Sequence, residues 1–492
     1  MSPEDRRDGP VLGDYNGGHS STMSQGLRPP AATDPPQGPV SAGGLSRRAL
    51  WDWLGAGSLV SLLVCYAVAS QSLVLGSSDG AWVYGYVAMF NARMLMVAAA
   101  AAALAAVLVF FSPRSDWPAV LAWIVLALGL QALIRSLNPF SFERLFASDG
   151  ANAFYGVTEH FRAGAVLRDF DRVRASWPLH AQSNMPGKLM LVYALRNLSR
   201  RPAVLAWLAV LVSNLGAALM YSFARELFAD RRIAMYSAVL YLLVPAKLYF
   251  FPLLNSVTPV VVLACAVLVL KWLRTGNIGY AAALGVALFG LVFYEPLPLV
   301  MGLLFALLVL RAWWLGQITP RRLLTHMGLG MVAWLATYGA VRLPFGFDLV
   351  SAFRQIGEHA VRFNADAGRP YSIWVWANLR EFLFGIGVCQ AIVFWAALAD
   401  GYLGAQSWRD RLTRPITMLC LGSAAVLLAT DAIGVNRGEV IRLWIFLGCF
   451  FQIPTAYVCA RLDNRAALLL VVAVTILQAT LGTAMIGFIV PG

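Results

Sequence analysis

Charge is what this chain has least of. Asp, Glu, Lys and Arg make up 13% of its 492 residues, apolar residues make up 59%, and mean hydropathy is +0.67. Soluble domains carry roughly 25% charged residues, so a stack of them is excluded. Lysine is nearly absent: of 38 basic residues only Lys188, Lys247 and Lys271 are lysine, the rest being arginine. With abundant Ala, Gly and Val, that bias points to a high-GC bacterial genome. The six cysteines (Cys65, Cys265, Cys389, Cys420, Cys449, Cys459) all fall inside or at the ends of apolar stretches, where a thiol behaves as a small hydrophobe, so neither a disulfide framework nor a metal cluster is expected. Gly-rich phosphate loops and HExxH spacings are missing, which argues against a nucleotide-sugar donor and a zinc hydrolase. The net charge of +13 comes from arginines dispersed between apolar stretches, not from a basic helix, so nucleic acid is not an expected partner.

What remains is apolar sequence in long runs. A membrane-spanning helix needs about 20 mostly apolar residues. Runs of that kind fall at about 53–75, 91–111, 117–136, 202–224, 233–252, 257–273, 279–295, 297–315, 324–343, 377–399, 415–432, 441–460 and 466–489. The expected fold is all-α and polytopic, with about thirteen transmembrane helices. Residues 1–48, rich in Pro, Gly, Ser and Asp, read as a disordered tail before a transmembrane domain over 49–492. Short loops on one side carry the arginines (Arg47/Arg48, Arg225/Arg231/Arg232, Arg311/Arg321/Arg322, Arg409/Arg411/Arg414, Arg461/Arg465), which places that side and the N-terminus in the cytoplasm. Two longer segments, 137–201 and 344–376, then face outward.

The first outward segment holds most of the polar sequence. SDGANAFYGVTEHFRAG (148–164) puts Asp149 just past a span and reads on as an amphipathic surface helix with Tyr155. LRDFDRVR carries Asp169 and Asp171, either further acids, metal ligands or solvated ion pairs with the arginines beside them. WPLHAQSNMPGK carries His180 before a Pro-Gly turn and a second amphipathic helix. Elsewhere Lys247, Glu295, Arg342, Glu439 and Arg442 stand near the outer ends of spans, and ionisable groups at that depth are functional candidates. Glu439 and Arg442 are three residues apart, a spacing that pairs them on a helix. The second outward segment offers Glu358, His359, Tyr371, Trp374 and Trp376, suited to sugar binding or to membrane anchoring.

Taken in order, Asp149 at the membrane edge, Tyr155, Gly164, His180, Pro186, the helix pair ending RELFADRR, and NRGEVIRLWIFLGCFF (436–451) resemble the GT-C superfamily of polyprenyl-phosphate-sugar-dependent glycosyltransferases, the protein mannosyltransferase and aminoarabinose transferase type, over residues 140–460. In those families the acidic loop commonly follows the first span, whereas here it follows the third, which implies two extra N-terminal spans. The resemblance implies an enzyme of the bacterial inner membrane with its active face outside the cytoplasm. It would move a sugar from a polyprenyl-phosphate donor to an envelope glycan, lipid or protein acceptor with inversion. It implies Asp149 as the base, in competition with a plain helix N-cap, and Tyr155, His180, Lys247, Glu295, Arg342, His359, Glu439 and Arg442 as substrate-binding residues. Asp79, in an SDG sequence that echoes 148–150, is an alternative acid beside Asp169 and Asp171. No metal ligands are assigned, although a divalent metal stays open as a cofactor. A flippase or transporter of lipid-linked sugars is the rival reading, and would show inverted repeats and broken helices. A scaffold without chemistry is the third, and would leave Asp149, His180 and Arg442 apart.

Overall fold

The computed structural model describes residues 44–491 apart from Ser112 and Arg114. The tail expected over 1–48 lies outside the described residues as far as 43, and from Arg47 its last residues already belong to the first helix. Three long helices open the chain, α1 (Arg47–Ala69), α2 (Ala92–Phe111) and α3 (Asp116–Arg135). Between α1 and α2 a small hairpin pairs β1 (Gly76–Ser77) with β2 (Trp82–Val83). The long segment after α3 is a string of short helices: α4 (Phe142–Ala147), α5 (Phe154–His160), α6 (Ala163–Arg168), α7 (Phe170–Val173), α8 (Leu179–Gln182) and α9 (Gly187–Arg196). The middle of the chain holds α10 (Pro202–Phe228), α11 (Arg231–Leu242), α12 (Pro245–Phe250), α13 (Thr258–Thr275), α14 (Ile278–Tyr294), α15 (Gly302–Trp314) and α16 (Pro320–Phe345). After them come α17 (Leu349–Asp366), α18 (Tyr371–Ile386), α19 (Val388–Leu403), α20 (Trp408–Thr413) and α21 (Pro415–Ile433). The last helices are α22 (Val440–Leu443), α23 (Ile445–Gly448), α24 (Gln452–Leu462) and α25 (Arg465–Met485).

Helices prevail because lipid offers no partner to a free backbone group, and a helix bonds its own. Their ends are written in the sequence. Asp230 accepts from the amides of Arg232 and Ile233 at 2.7 and 3.0 Å to start α11, Asn464 accepts from Ala466 at 2.8 Å to start α25, and prolines open α10, α12, α16 and α21. Among the described residues ten helices are long and apolar enough to cross a membrane, or eleven if the bent pair α18 and α19 is one crossing. The chain is a multi-pass membrane protein.

Thirteen spans were expected, and the difference has three physical sources. α14 has 17 residues, roughly 26 Å at the helical rise and short of a hydrocarbon core of roughly 30 Å. α16 carries Arg321, Arg322, His326 and Arg342 and is not among the ten. The run expected as one span over 377–399 is two helices meeting at 94°. Gly387 makes that break, at φ 102° and ψ 127°, a conformation open to glycine, and a Cβ there would lie 2.2 Å from the Gln390 side chain. The backbone groups the break exposes are taken up by glutamines of neighbouring helices. Gln478 accepts from the Val388 amide at 3.0 Å and donates to the Phe384 carbonyl at 2.9 Å, and Gln452 donates to the Ile386 carbonyl at 2.9 Å.

The arginines of the short loops expected on one side collect at one end of the bundle. Arg47 donates to Leu462, Arg465 to Phe110, Arg311 to Thr413, Arg409 to Trp314 and Arg322 to Gly276, each closing a carbonyl at the end of another helix. Arg231 pairs with Asp116 and Arg232 with Asp463 at the same end. At the other end, a second apolar cluster seats the short helices: Phe146, Phe154, Trp177 and Leu189 are buried with Leu205 and Ala209 of α10, Phe289 of α14 and Phe347 before α17. That cluster fixes one wall of the cavity described next.

Candidate functional site

Arg442 lies on a turn that the backbone reaches only through two left-handed residues, Gly438 at φ 83° and Glu439 at φ 59°. Glycine adopts that region freely, whereas for Glu439 it carries a cost of order 1 kcal/mol. The reward is an ion triad. Glu439 Oε2 accepts from Arg442 Nη2 at 2.5 Å and Oε1 from Arg369 Nη2 at 3.4 Å. Arg369 is fixed in turn by Arg437: each donates its guanidinium to the other's backbone carbonyl, at 2.7 and 2.8 Å. Both Arg369 and Arg442 keep an Nε–H without a partner among the described residues. Burial pushes the Glu439 carboxyl up, but Arg442, His180 and Arg369 outweigh it and hold the group below the usual range. The triad therefore keeps two cations and one anion side by side in a buried place, a net positive charge with unused donors.

His180, from α8, meets it. Its Nε2 lies 3.3 Å from Arg442 Nη1. Arginine only donates, so Nε2 accepts and the ring's proton sits on Nδ1. The Arg442 charge first, then burial, push the His180 ring down to about 4 from its ordinary 6.5, with Glu439 opposing. His180 is thus neutral at physiological pH. The unfolded chain takes up this proton near pH 6.5 while the folded chain refuses it until about pH 4, so stability falls as pH drops through that window. The expected result is an acid-side loss of thermal stability between pH 6.5 and 4.5 that H180Q reduces, measured by thermal unfolding of both proteins across that range.

The facing wall is built on a second buried pair. Lys188, the first lysine of α9, is fully buried and pairs with Glu295 Oε2 at 2.9 Å. Glu295 also accepts from Thr258 Oγ1 at 2.6 Å, and Lys188 donates to Asn184 Oδ1 at 2.7 Å. Burial lowers the Lys188 ammonium, and Glu295 pulls it back. Gly187 lets this helix come so close: a Cβ there would lie 2.4 Å from the Phe293 carbonyl.

Between the two walls is a cavity of about 450 Å³, within the range of sites for small organic ligands. Its lining brings together five residues singled out from the sequence: His180, Glu295, His359, Glu439 and Arg442. It adds Arg369 and Arg437 and the amides of Asn152, Asn184, Asn255, Asn364 and Asn436, none of which the sequence reading singled out as a site residue. Such amides offer donors and acceptors together, as sugar hydroxyls require. A signal for Lys188 was present in the sequence, because lysine is so rare that one following a Pro-Gly turn stands out. Arg369, in GRPYS, carried no comparable mark.

The other singled-out residues do not line the cavity. Asp149 is exposed. It sits two and three residues before Ala151 and Asn152, which do line it, and next to Gly150, whose backbone bonds His180. Its carboxylate accepts no hydrogen bond among the described residues; the hydroxyl that caps this turn is Ser148 Oγ, taking the Ala151 amide at 3.1 Å. Gly156 leaves room for it, since a Cβ there would lie 2.6 Å from Asp149 Oδ1. Tyr155 is turned the other way, donating to Glu159 at 2.9 Å. Lys247 is fully buried in the helix bundle over the Tyr241 ring at 3.6 Å, where it donates to the Tyr241 carbonyl and closes the end of α11. Arg342 is exposed, donating to Tyr338 Oη at 2.8 Å and lying 3.7 Å from Asp348. Asp79 is exposed in the β1–β2 hairpin turn. Asp169 pairs with Arg172 at 2.8 Å and Asp171 accepts from Ser351 at 2.6 Å, so both serve local contacts. Among the described residues no group of three or more His, Cys, Asp or Glu is arranged to hold a metal ion.

No protein-family profile matches the chain, and no curated protein matches it. Among solved structures, the crystal structure of ArnT from Cupriavidus metallidurans bound to undecaprenyl phosphate is similar, at 15% sequence identity and a TM-score of 0.36, over 74% of this chain and 77% of that one. A likeness at that level carries no argument for what this chain does.

Proposed function

We propose that this protein is a membrane glycosyltransferase that takes a sugar from a polyprenyl-phosphate carrier and gives it to a hydroxyl-bearing acceptor of the bacterial envelope. The observation that carries the reading is the Arg369–Glu439–Arg442 triad beside neutral His180 in the wall of a cavity that five asparagines also line. Two guanidinium groups with unused donors suit a phosphate, which takes their parallel N–H bonds. The amides suit the sugar. Beside this cavity lies a larger apolar one of about 920 Å³ among α13, α14, α15 and α16, and Leu299 lines both. A cavity with polar groups on one wall that shares a lining residue with an apolar one suits a headgroup joined to a hydrocarbon tail. Arginines gathered at the opposite end of the bundle support a cytoplasmic position for that end, and an outward one for the cavity.

In the proposed step the acceptor oxygen attacks the anomeric carbon as the bond from that carbon to the phosphate oxygen breaks. The electron pair leaves with the polyprenyl phosphate, the acceptor's proton goes to a carboxylate, and the anomeric centre inverts. Arg442 and Arg369 stabilise the charge that gathers on the departing phosphate. Asp149 is the proposed base, exposed, in no ion pair among the described residues and two and three residues before the lining residues Ala151 and Asn152. D149N is expected to lower transfer by roughly 10²–10⁴-fold while the protein stays folded, measured with a radiolabelled polyprenyl-phosphate sugar in reconstituted membranes. If D149N keeps its activity while E439Q or E295Q loses it, the base lies on the cavity wall instead.

The break at Gly387 favours the second reading, a transporter of lipid-linked sugars, because broken helices mark transport sites. Its exposed amide and carbonyls, however, are already bonded to Gln478 and Gln452. Those three groups are therefore not available to a substrate.

A further inference from the structure

The segment 434–439 has no regular secondary structure and is buried or half-buried along its length, and such a loop must find partners for its backbone outside itself. One helix supplies most of them. Along α18, residues 371, 374, 378 and 381 follow at intervals of three, four and three, so they share one face. Tyr371 Oη donates to the Ala432 carbonyl at 3.2 Å, at the end of α21. Asn378 donates to the Asn436 carbonyl at 3.0 Å and accepts from the Gly438 amide at 3.0 Å. Glu381 Oε2 accepts from the Val440 amide at 3.2 Å. Trp374 fills the space between: a Cβ at Gly438 would lie 2.9 Å from its ring.

Glu381 is the odd member of this face. It is fully buried, makes no ion pair with any described residue, and its Oε1 has no hydrogen-bond partner. A buried carboxyl without a cation is costly, and an amide or apolar residue would pack there at less expense. Its one bond goes to the amide that directly follows Glu439, the left-handed residue whose side chain bridges Arg369 and Arg442. Losing that acceptor would leave the Val440 amide buried and unpaired, so that the bonds from α18 would end at Gly438, before the strained residue, where Asn378 takes the amide.

We infer that Glu381 is a positioning residue for the cationic end of the cavity: its carboxyl oxygen, acting as a hydrogen-bond acceptor, pins the Val440 amide and so holds Glu439 between Arg369 and Arg442. The inference rests on the proposed function only for the identity of what the triad binds. Two measurements on the full chain in lipid nanodiscs separate the parts. Hydrogen exchange of the peptide covering 434–443 is expected to rise roughly tenfold or more in E381M, equivalent to about 1.4 kcal/mol of lost protection, and to stay near wild type in E381Q, which keeps an acceptor oxygen. E381A replaces E381M if the latter does not fold. Unchanged exchange in E381M or E381A overturns the proposal. Farnesyl phosphate is the binding probe: its affinity is expected to fall about tenfold in E381M and to remain within about threefold of wild type in E381Q. An E381Q as weak as E381M shows that the charge and not the acceptor matters, and overturns the proposal as stated. Wild-type protein that binds no farnesyl phosphate, while the exchange results hold, sinks the phosphate reading and leaves the positioning role supported.

Discussion

Replacing Arg442 by Met is expected to lower sugar transfer by roughly 10²–10³-fold, the effect of deleting one preorganised donor at a site of developing charge. Arg442 is the one side chain that touches both Glu439, at 2.5 Å, and His180, at 3.3 Å. Its removal leaves Glu439 with Arg369 alone, at 3.4 Å. R442K is expected to recover only part of the loss, because an ammonium keeps the charge without the planar fork. A second signature goes with it. The Arg442 charge is the main reason that His180 resists protonation down to about 4, so in R442M the His180 ring should titrate closer to its ordinary value. The acid limb of the pH–rate profile should move upward accordingly. An R442M enzyme that transfers sugar at the wild-type rate would remove the triad from the mechanism.

Lys188→Met is expected to give the largest loss of stability, about 3–5 kcal/mol, because it leaves Glu295 buried without its cation. The pair is almost wholly shielded from solvent, the side chains being 0% and 8% exposed, so screening by water discounts little of this. The double variant K188M/E295M removes both charges and fills the space with apolar side chains. It is expected to recover most of the loss, as buried ion pairs commonly tolerate such replacement. Thermal unfolding of wild type, both single variants and the double variant gives the coupling between the two residues. A K188M protein as stable as wild type would mean that Glu295 finds another partner or takes a proton. Because Glu295 lines the cavity, a folded double variant also reports whether this wall contributes to substrate affinity or only to its shape.

Much of this was legible in the sequence, and where legibility ended follows from physics. Apolar runs and cap residues mark helices because the signal is local: Asp230 and Asn464 bond amides two or three residues ahead. The Glu439–Arg442 pair was legible for the same reason. Arg369, by contrast, reaches the site from a position 70 residues away, and Glu381 reaches Val440 across 59. Nothing in the local pattern around either residue announces such a partner. Asp149 shows the limit from the other side. Its place past a span and within SDG singled it out, but the fold sets it at the rim and gives the cavity lining to the residues just after it.

The sequence by itself determined that the chain lives in lipid and that it is helical, since hydropathy acts on each segment separately. Tertiary structure decided which charges meet. It turned one expected span into two helices at Gly387, sank Lys247 into the bundle away from the cavity, and matched Lys188 with Glu295. It also joined His180, between α3 and α10, to Arg442 of α22. In a low-dielectric interior a charge without a partner is costly. That partner comes from whichever helix packs alongside, which no single stretch of sequence records.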